Sequence, residues 1–192
     1  MLTISRPLTA EGSRAYFRRE FSRDDYYVRA ETVGQWGGKV ARALGLAGDV
    51  GEEAFLAVLN GEDPASRRTL VRGSNAAGGK RRAGWDLTFS AVKSVSLQAL
   101  VGNDGRLVAA HDRAVARAVE EVERHARGRS ADVWGDETGA LVSASFRHEA
   151  SRALDPQLHT HVVVANMTVD DEGRWRALES HALYAMQALA TA

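Results

Sequence analysis

The sequence predicts an α+β fold with a central antiparallel sheet and flanking helices, and three observations carry that prediction. First, "GALVSASFRH" and "HTHVVVANMTV" read as two strands whose connection, "EASRALDPQL", is short enough for antiparallel neighbours, and "DDEG" then turns the chain into a third, "RWRAL". Second, "GRLVAAHDRAVARAVEEVERHARG" places apolar Leu107, Ala114, Val115, Ala118, Val119 and Val122 at helical spacing. Third, helices come first, followed by strand, helix and strands, without the strict alternation that builds a parallel sheet.

In chain order, "TAEGSRAYFRREF" reads as a short helix capped near Thr9, and "SRDD" as a loop before "YYV". A second helix is expected from about Gln35 to Gly45, and a third in "VGEEAFLAVLNGEDP", closed by Gly61 and Pro64. Residues 60–84, rich in Gly, Ser and Arg, are the most loop-like region. "WDLTFSAVKSVSLQALV" begins as a strand and turns helical near Val92. The long amphipathic helix and the strands complete the chain. No repeat, low-complexity tract or linker interrupts it, so one domain is expected.

Composition excludes several classes. Formal net charge is zero, so attraction to nucleic acid or an anionic membrane needs a local patch. There is no cysteine, hence no disulfide and no thiolate metal site. With no secretory leader pattern and no run approaching the roughly 20 apolar residues of a membrane helix, a cytoplasmic protein without membrane insertion is expected. All but three of the 25 basic residues are arginine, a side chain suited to phosphate but also favoured by GC-rich coding.

Histidines carry the chemistry. On a strand His159 and His161 share a face, their Cα atoms about 6.6 Å apart, and His148 closes the preceding strand. Three neutral imidazoles can hold a divalent ion at about 2.1 Å and leave coordination positions open, as catalytic sites do. Core histidines with satisfied ring nitrogens are the competing reading, and spacing alone does not separate the two. His111, His125 and His181 show no comparable grouping. Three of the four tyrosines, Tyr16, Tyr26 and Tyr27, lie near the N-terminus. A phenol with pKa near 10 costs about 4 kcal/mol to ionise at neutral pH, so a nucleophilic role needs help from the site. Packing on the core is the alternative for each.

The segments "GWDLTFSAVKSVSLQALV", "FRHEASRALDPQLHTHVVVANM" and "RWRAL", preceded by N-terminal tyrosines and "WGGKVARALGLAG", resemble the conjugative relaxases of the MobF class, the TrwC/TraI type of HUH endonuclease. The resemblance covers essentially the whole chain. It implies that His148, His159 and His161 hold one Mg²⁺ or Mn²⁺ ion on the scissile phosphate of single-stranded DNA at an origin of transfer. It also implies that Tyr16 is the nucleophile of the first cleavage, leaving a 5′-phosphotyrosine and a free 3′-hydroxyl. Tyr26 matches the tyrosine assigned to rejoining. Asp86 matches an acidic residue that orients a ligating histidine or assists proton removal. For DNA contacts, Arg81 and Arg82 belong to a basic segment running from Arg67, Trp85 could stack on a base, and Lys93 could meet phosphate. A solvated loop and a core tryptophan are the plain alternatives.

Phe17 and Val92 depart from the family pattern, which has a second tyrosine and a proline there. The family continues past the point where "HALYAMQALATA" ends, so residues 1–192 are expected to be one relaxase domain, incomplete at its C-terminus and without a helicase domain. Accessory transfer proteins or a separate helicase are the expected partners. Two other functions are weighed: a cleavage-deficient origin-DNA-binding remnant, and a rolling-circle replication initiator. The second usually places its tyrosine after the histidines, the reverse of the order here.

Overall fold

The run Val162–Ala165 is buried on both faces of its strand, and the sheet is arranged around it. A computed structural model describes residues 1–9, 12, 34–71, 81–151 and 153–189. In it the central strand β8 (Pro156–Ala165) lies between β4 (Arg82–Ser90) and β7 (Ser143–Ala150). Beyond β4 lie β1 (Leu2–Ile4) and β2 (Leu8–Thr9), and beyond β7 lies β3 (Gln35–Gly37), giving six strands. Every pairing is antiparallel. Two small ribbons stand apart, β5 (Arg127–Gly128) with β6 (Asp136–Glu137) and β9 (Thr168–Val169) with β10 (Trp175–Arg176). The expected α+β fold with an antiparallel sheet is the one observed.

Alternation along the strands divides the core in two. On one face Trp85, Leu87, Val162 and Val164 pack with Val115 and Val122 of α4 (Gly105–Arg124) and with Leu183 and Met186 of α5 (Ser180–Leu189). On the other, Ala144, Phe146, Val163 and Ala165 meet Val40 of α1 (Lys39–Ala43) and Phe55, Val58 and Leu59 of α2 (Glu52–Leu59). The Val, Leu, Phe and Met side chains among these each contribute roughly 1.5–3 kcal/mol when fully withdrawn from water. α3 (Lys93–Leu100) closes the end of β4, where the buried Ser96 hydroxyl accepts from Leu158 N at 3.1 Å. Among the described residues no helix is long and apolar enough to cross a membrane.

Three expectations are revised. The helix expected from Gln35 starts only at Lys39, because Gln35–Gly37 pair with Ser143–Ser145 as strand β3. Gly38 then turns the chain with φ of 94°, at a point where a Cβ would run into the Leu141 carbonyl. "HTHVVVANMTV" is not one strand, since buried Asn166 breaks it by donating to Arg82 O and accepting from Leu178 N. Ala114, expected on the apolar stripe of α4, is exposed. Thr9, the expected cap, ends β2 and its Oγ1 accepts from Gly12 N at 3.2 Å, while the rest of the helix expected over 9–21 and the "YYV" segment lie outside the described residues.

Candidate active site

Antiparallel pairing of β7 with β8 sets His148 directly opposite His159, and His161 opposite Phe146. Opposed residues share a face, so all three imidazoles project from the same side of the sheet. Their ring centres lie 5.3 Å (His148–His159), 5.3 Å (His148–His161) and 5.2 Å (His159–His161) apart. The first pair is stacked at 23°, and His161 stands edge-on to both partners, at 87° and 75°. Rings whose nitrogens each sit about 2.1 Å from a common ion have centres on the order of 5 Å apart, so the ring spacing suits a single small cation. The donor nitrogens have not drawn in to one point: no group of three His, Cys, Asp or Glu residues does so among the described residues.

Hydrogen bonds set the tautomers. His161 Nδ1 lies 2.8 Å from Asp86 Oδ2, and a carboxylate only accepts, so Nδ1 carries the proton and the lone pair falls on Nε2. His159 Nδ1 lies 3.0 Å from the Gln157 carbonyl, with the same consequence. His148 Nε2 is withdrawn from solvent. Asp86 stands on the histidine face of β4, opposite Val163 and two residues before Thr88, whose hydroxyl lies 3.2 Å from His161 Nδ1. The Asp86 side chain is 9% exposed and that of His161 15%, so the imidazole keeps an opening to solvent while its carboxylate partner is nearly closed off.

The remaining expected residues divide by position. Lys93, exposed at the start of α3, donates from Nζ to the Pro156 carbonyl at 3.1 Å, which holds its charge at the histidine end of β8. Arg82 is exposed but begins β4 opposite Thr9, six residues from Thr88 and hence about 20 Å along the strand from the histidines. The Arg81 guanidinium is buried against Gly61. Burial lowers its pKa, with Glu62 opposing, and it is no open phosphate ligand in this geometry. Trp85 is 0% exposed, which corrects the base-stacking expectation: it faces the α4 side of the sheet, and its indole has no surface left for a base. Tyr16 and Tyr26 lie outside the described residues.

Sequence reasoning missed His111. Its Nε2 lies 2.9 Å from the hydroxyl of Thr160, the residue between the two β8 histidines, on the reverse face of the sheet. Burial lowers the His111 pKa from the ordinary imidazole range, while Asp112 pulls the other way. A signal was present, because His111 falls on the stripe of Val115, Ala118, Val119 and Val122 at helical spacing, which turns it toward the sheet.

Known proteins match this chain in sequence and in fold. The TrwC relaxase family model matches residues 10–192. The multifunctional conjugation protein TraI of Escherichia coli is 43% identical over 185 residues, covering 94% of this chain and 10% of that protein. The copper-bound structure of the conjugative relaxase TrwC in complex with oriT DNA superposes with a TM-score of 0.84 at 43% identity, over 100% of this chain and 66% of that one. TrwC complexed with a 27-mer DNA comprising the recognition hairpin and the cleavage site gives 0.82 at 39% identity, over 99% and 64%. The chain thus spans about a tenth of the curated relative and just under two thirds of the solved chains.

Proposed function

Given that this chain belongs to the TrwC relaxase family, we propose that it nicks and rejoins single-stranded DNA at an origin of transfer, with one divalent ion, Mg²⁺ or Mn²⁺, on His148, His159 and His161. The observation that carries the reading is the convergence of these three rings on the sheet face that also presents Asp86.

Tyr16 supplies the nucleophile. Its phenol gives up its proton to solvent as its oxygen bonds to the scissile phosphorus and the bond to the 3′ oxygen breaks, and the 3′ end departs as a hydroxyl after taking up a proton from solvent. One phosphodiester is exchanged for another, so the tyrosine ester retains the bond for rejoining, which is assigned to Tyr26. When bound, the ion supplies charge neutralisation at the non-bridging phosphate oxygens. Asp86 keeps the proton on His161 Nδ1 and fixes the ring's orientation. Lys93 adds positive charge at the same end of the sheet.

The test is a denaturing gel of purified chain with Mg²⁺ and labelled single strands from its own locus. A DNA-shifted band that survives SDS, disappears with chelator and is lost in Tyr16→Phe supports the proposal. DNA that binds without forming an adduct overturns it in favour of an origin-binding protein without cleavage.

A further inference from the structure

Two contacts reach the histidine strands from the reverse face of the sheet. Thr160 alternates with His159 and His161, so its side chain points away from theirs, and at 5% exposure its hydroxyl meets His111. Across the ladder, Arg147 is the register partner of Thr160 and precedes His148. Its Nη1 donates to Asp112 Oδ2 at 2.6 Å. His111 and Asp112 are consecutive residues of α4, a helix anchored by Val115 and Val122 in the core beneath. One helical turn therefore grips both strands behind the triad.

The strands need such a grip at this level. Pairing of β7 with β8 is regular from Ser143 to His148, then shifts, so that Ala150 rather than Ser151 meets Pro156. Backbone pairing on that side of His148 and His159 is thus irregular, while their rings must keep a separation near 5.3 Å to share a cation.

We propose that His111 and Asp112 are positioning residues, a two-point clamp on Thr160 and Arg147 that sets the spacing of the triad and thereby its affinity for a divalent cation. The inference rests on the reading of the triad as a metal centre, and the test separates the two.

Mn²⁺ is titrated by calorimetry into the full chain and its variants, with a melting temperature for each. His111→Leu and Arg147→Met are expected to weaken Mn²⁺ binding at least about tenfold, the scale of lost outer contacts at metal sites. His111→Gln, whose amide nitrogen falls near the place of Nε2, is expected to keep the affinity of the parent. Parental affinity in His111→Leu and Arg147→Met, with binding abolished in His161→Ala, overturns the clamp and leaves the triad standing. Equal losses in His111→Leu and His111→Gln, tracking equal falls in melting temperature, overturn it as ordinary packing. Should His111→Leu not fold, Arg147→Met and Asp112→Asn decide the matter at the more exposed end of the clamp. A parent chain that takes up no Mn²⁺, or His161→Ala binding as the parent does, removes the triad reading and the clamp with it.

Discussion

Asp86 Oδ2 and His161 Nδ1 lie 2.8 Å apart although the two residues are not register partners: Asp86 faces Val163, and Thr88 faces His161. The carboxylate reaches diagonally along one face of the sheet, and the bond fixes which ring nitrogen holds the proton. Asp86→Asn replaces an obligate acceptor with a group that can also donate, so the opposite tautomer becomes available. DNA cleavage is expected to fall about 10–100-fold with little change in DNA affinity. Single-turnover cleavage alongside a binding titration checks it, and unchanged cleavage removes Asp86 from the reaction.

Cation binding is expected to register in stability as well as in activity. A ligand of the folded state alone adds about 2.7 kcal/mol at a hundredfold excess over its Kd. Mn²⁺ should therefore raise the melting temperature of the parent chain, and that rise should vanish in His148→Ala and His159→Ala. Thermal scans with and without chelator make the comparison, and a rise that survives both substitutions places the ion elsewhere.

Much of this site was legible in the sequence because period-2 alternation is a local property. His159 and His161 had to share a face wherever their strand packed, and the short connection made His148 their natural neighbour. Residues that meet through non-local packing were not legible. Thr160 and His111 are 49 positions apart, and nothing short of docking α4 on β8 brings them together. Trp85 shows the same limit, since its burial depends on the Val164 opposite and the helices beneath. The strand Gln35–Gly37 is not legible in the sequence because three residues, the last of them a glycine, are too few to show a period.

Burial of Trp85 makes a specific prediction about that residue. Trp85→Ala is expected to cost about 3–5 kcal/mol through cavity formation, and Trp85→Phe less. Trp85→Phe, measured in conditions where it remains folded, should bind single-stranded DNA as the parent does. A tenfold loss of DNA affinity in Trp85→Phe without a change in its urea midpoint contradicts the burial argument.

Asp170 ties the turn between β9 and β10 through bonds to Arg174 N and Nε, each 2.8 Å, and to Arg176 Nε at 3.2 Å. Desolvation pushes its carboxyl up, but the hydrogen bonds from Arg174 outweigh it and bring the pKa from 3.8 to about 2. A carboxyl depressed in the folded state stabilises above its unfolded pKa and loses that contribution as pH falls through the folded one. The melting temperature of Asp170→Asn should therefore lie below that of the parent near neutral pH, and the gap should narrow as pH falls from 3.8 towards 2. A gap independent of pH over that window shows that the carboxylate charge is not what holds the turn.

Lys93 separates a phosphate contact from a purely structural cation. Among the described residues its ammonium bonds the Pro156 carbonyl, and the side chain is exposed beside the histidine end of β8. Each phosphate neutralised on a single strand contributes about 0.7 to the slope of log affinity against log salt. Lys93→Met should make that slope shallower by about this amount and weaken binding for all sequences alike, since a backbone contact carries no base information. Lys39→Met is the control, because Lys39 likewise donates to a carbonyl, that of Gly139, on the loop that leads into β7. A salt slope unchanged in Lys93→Met, or lowered equally in Lys39→Met, assigns Lys93 to holding the start of β8 rather than to DNA.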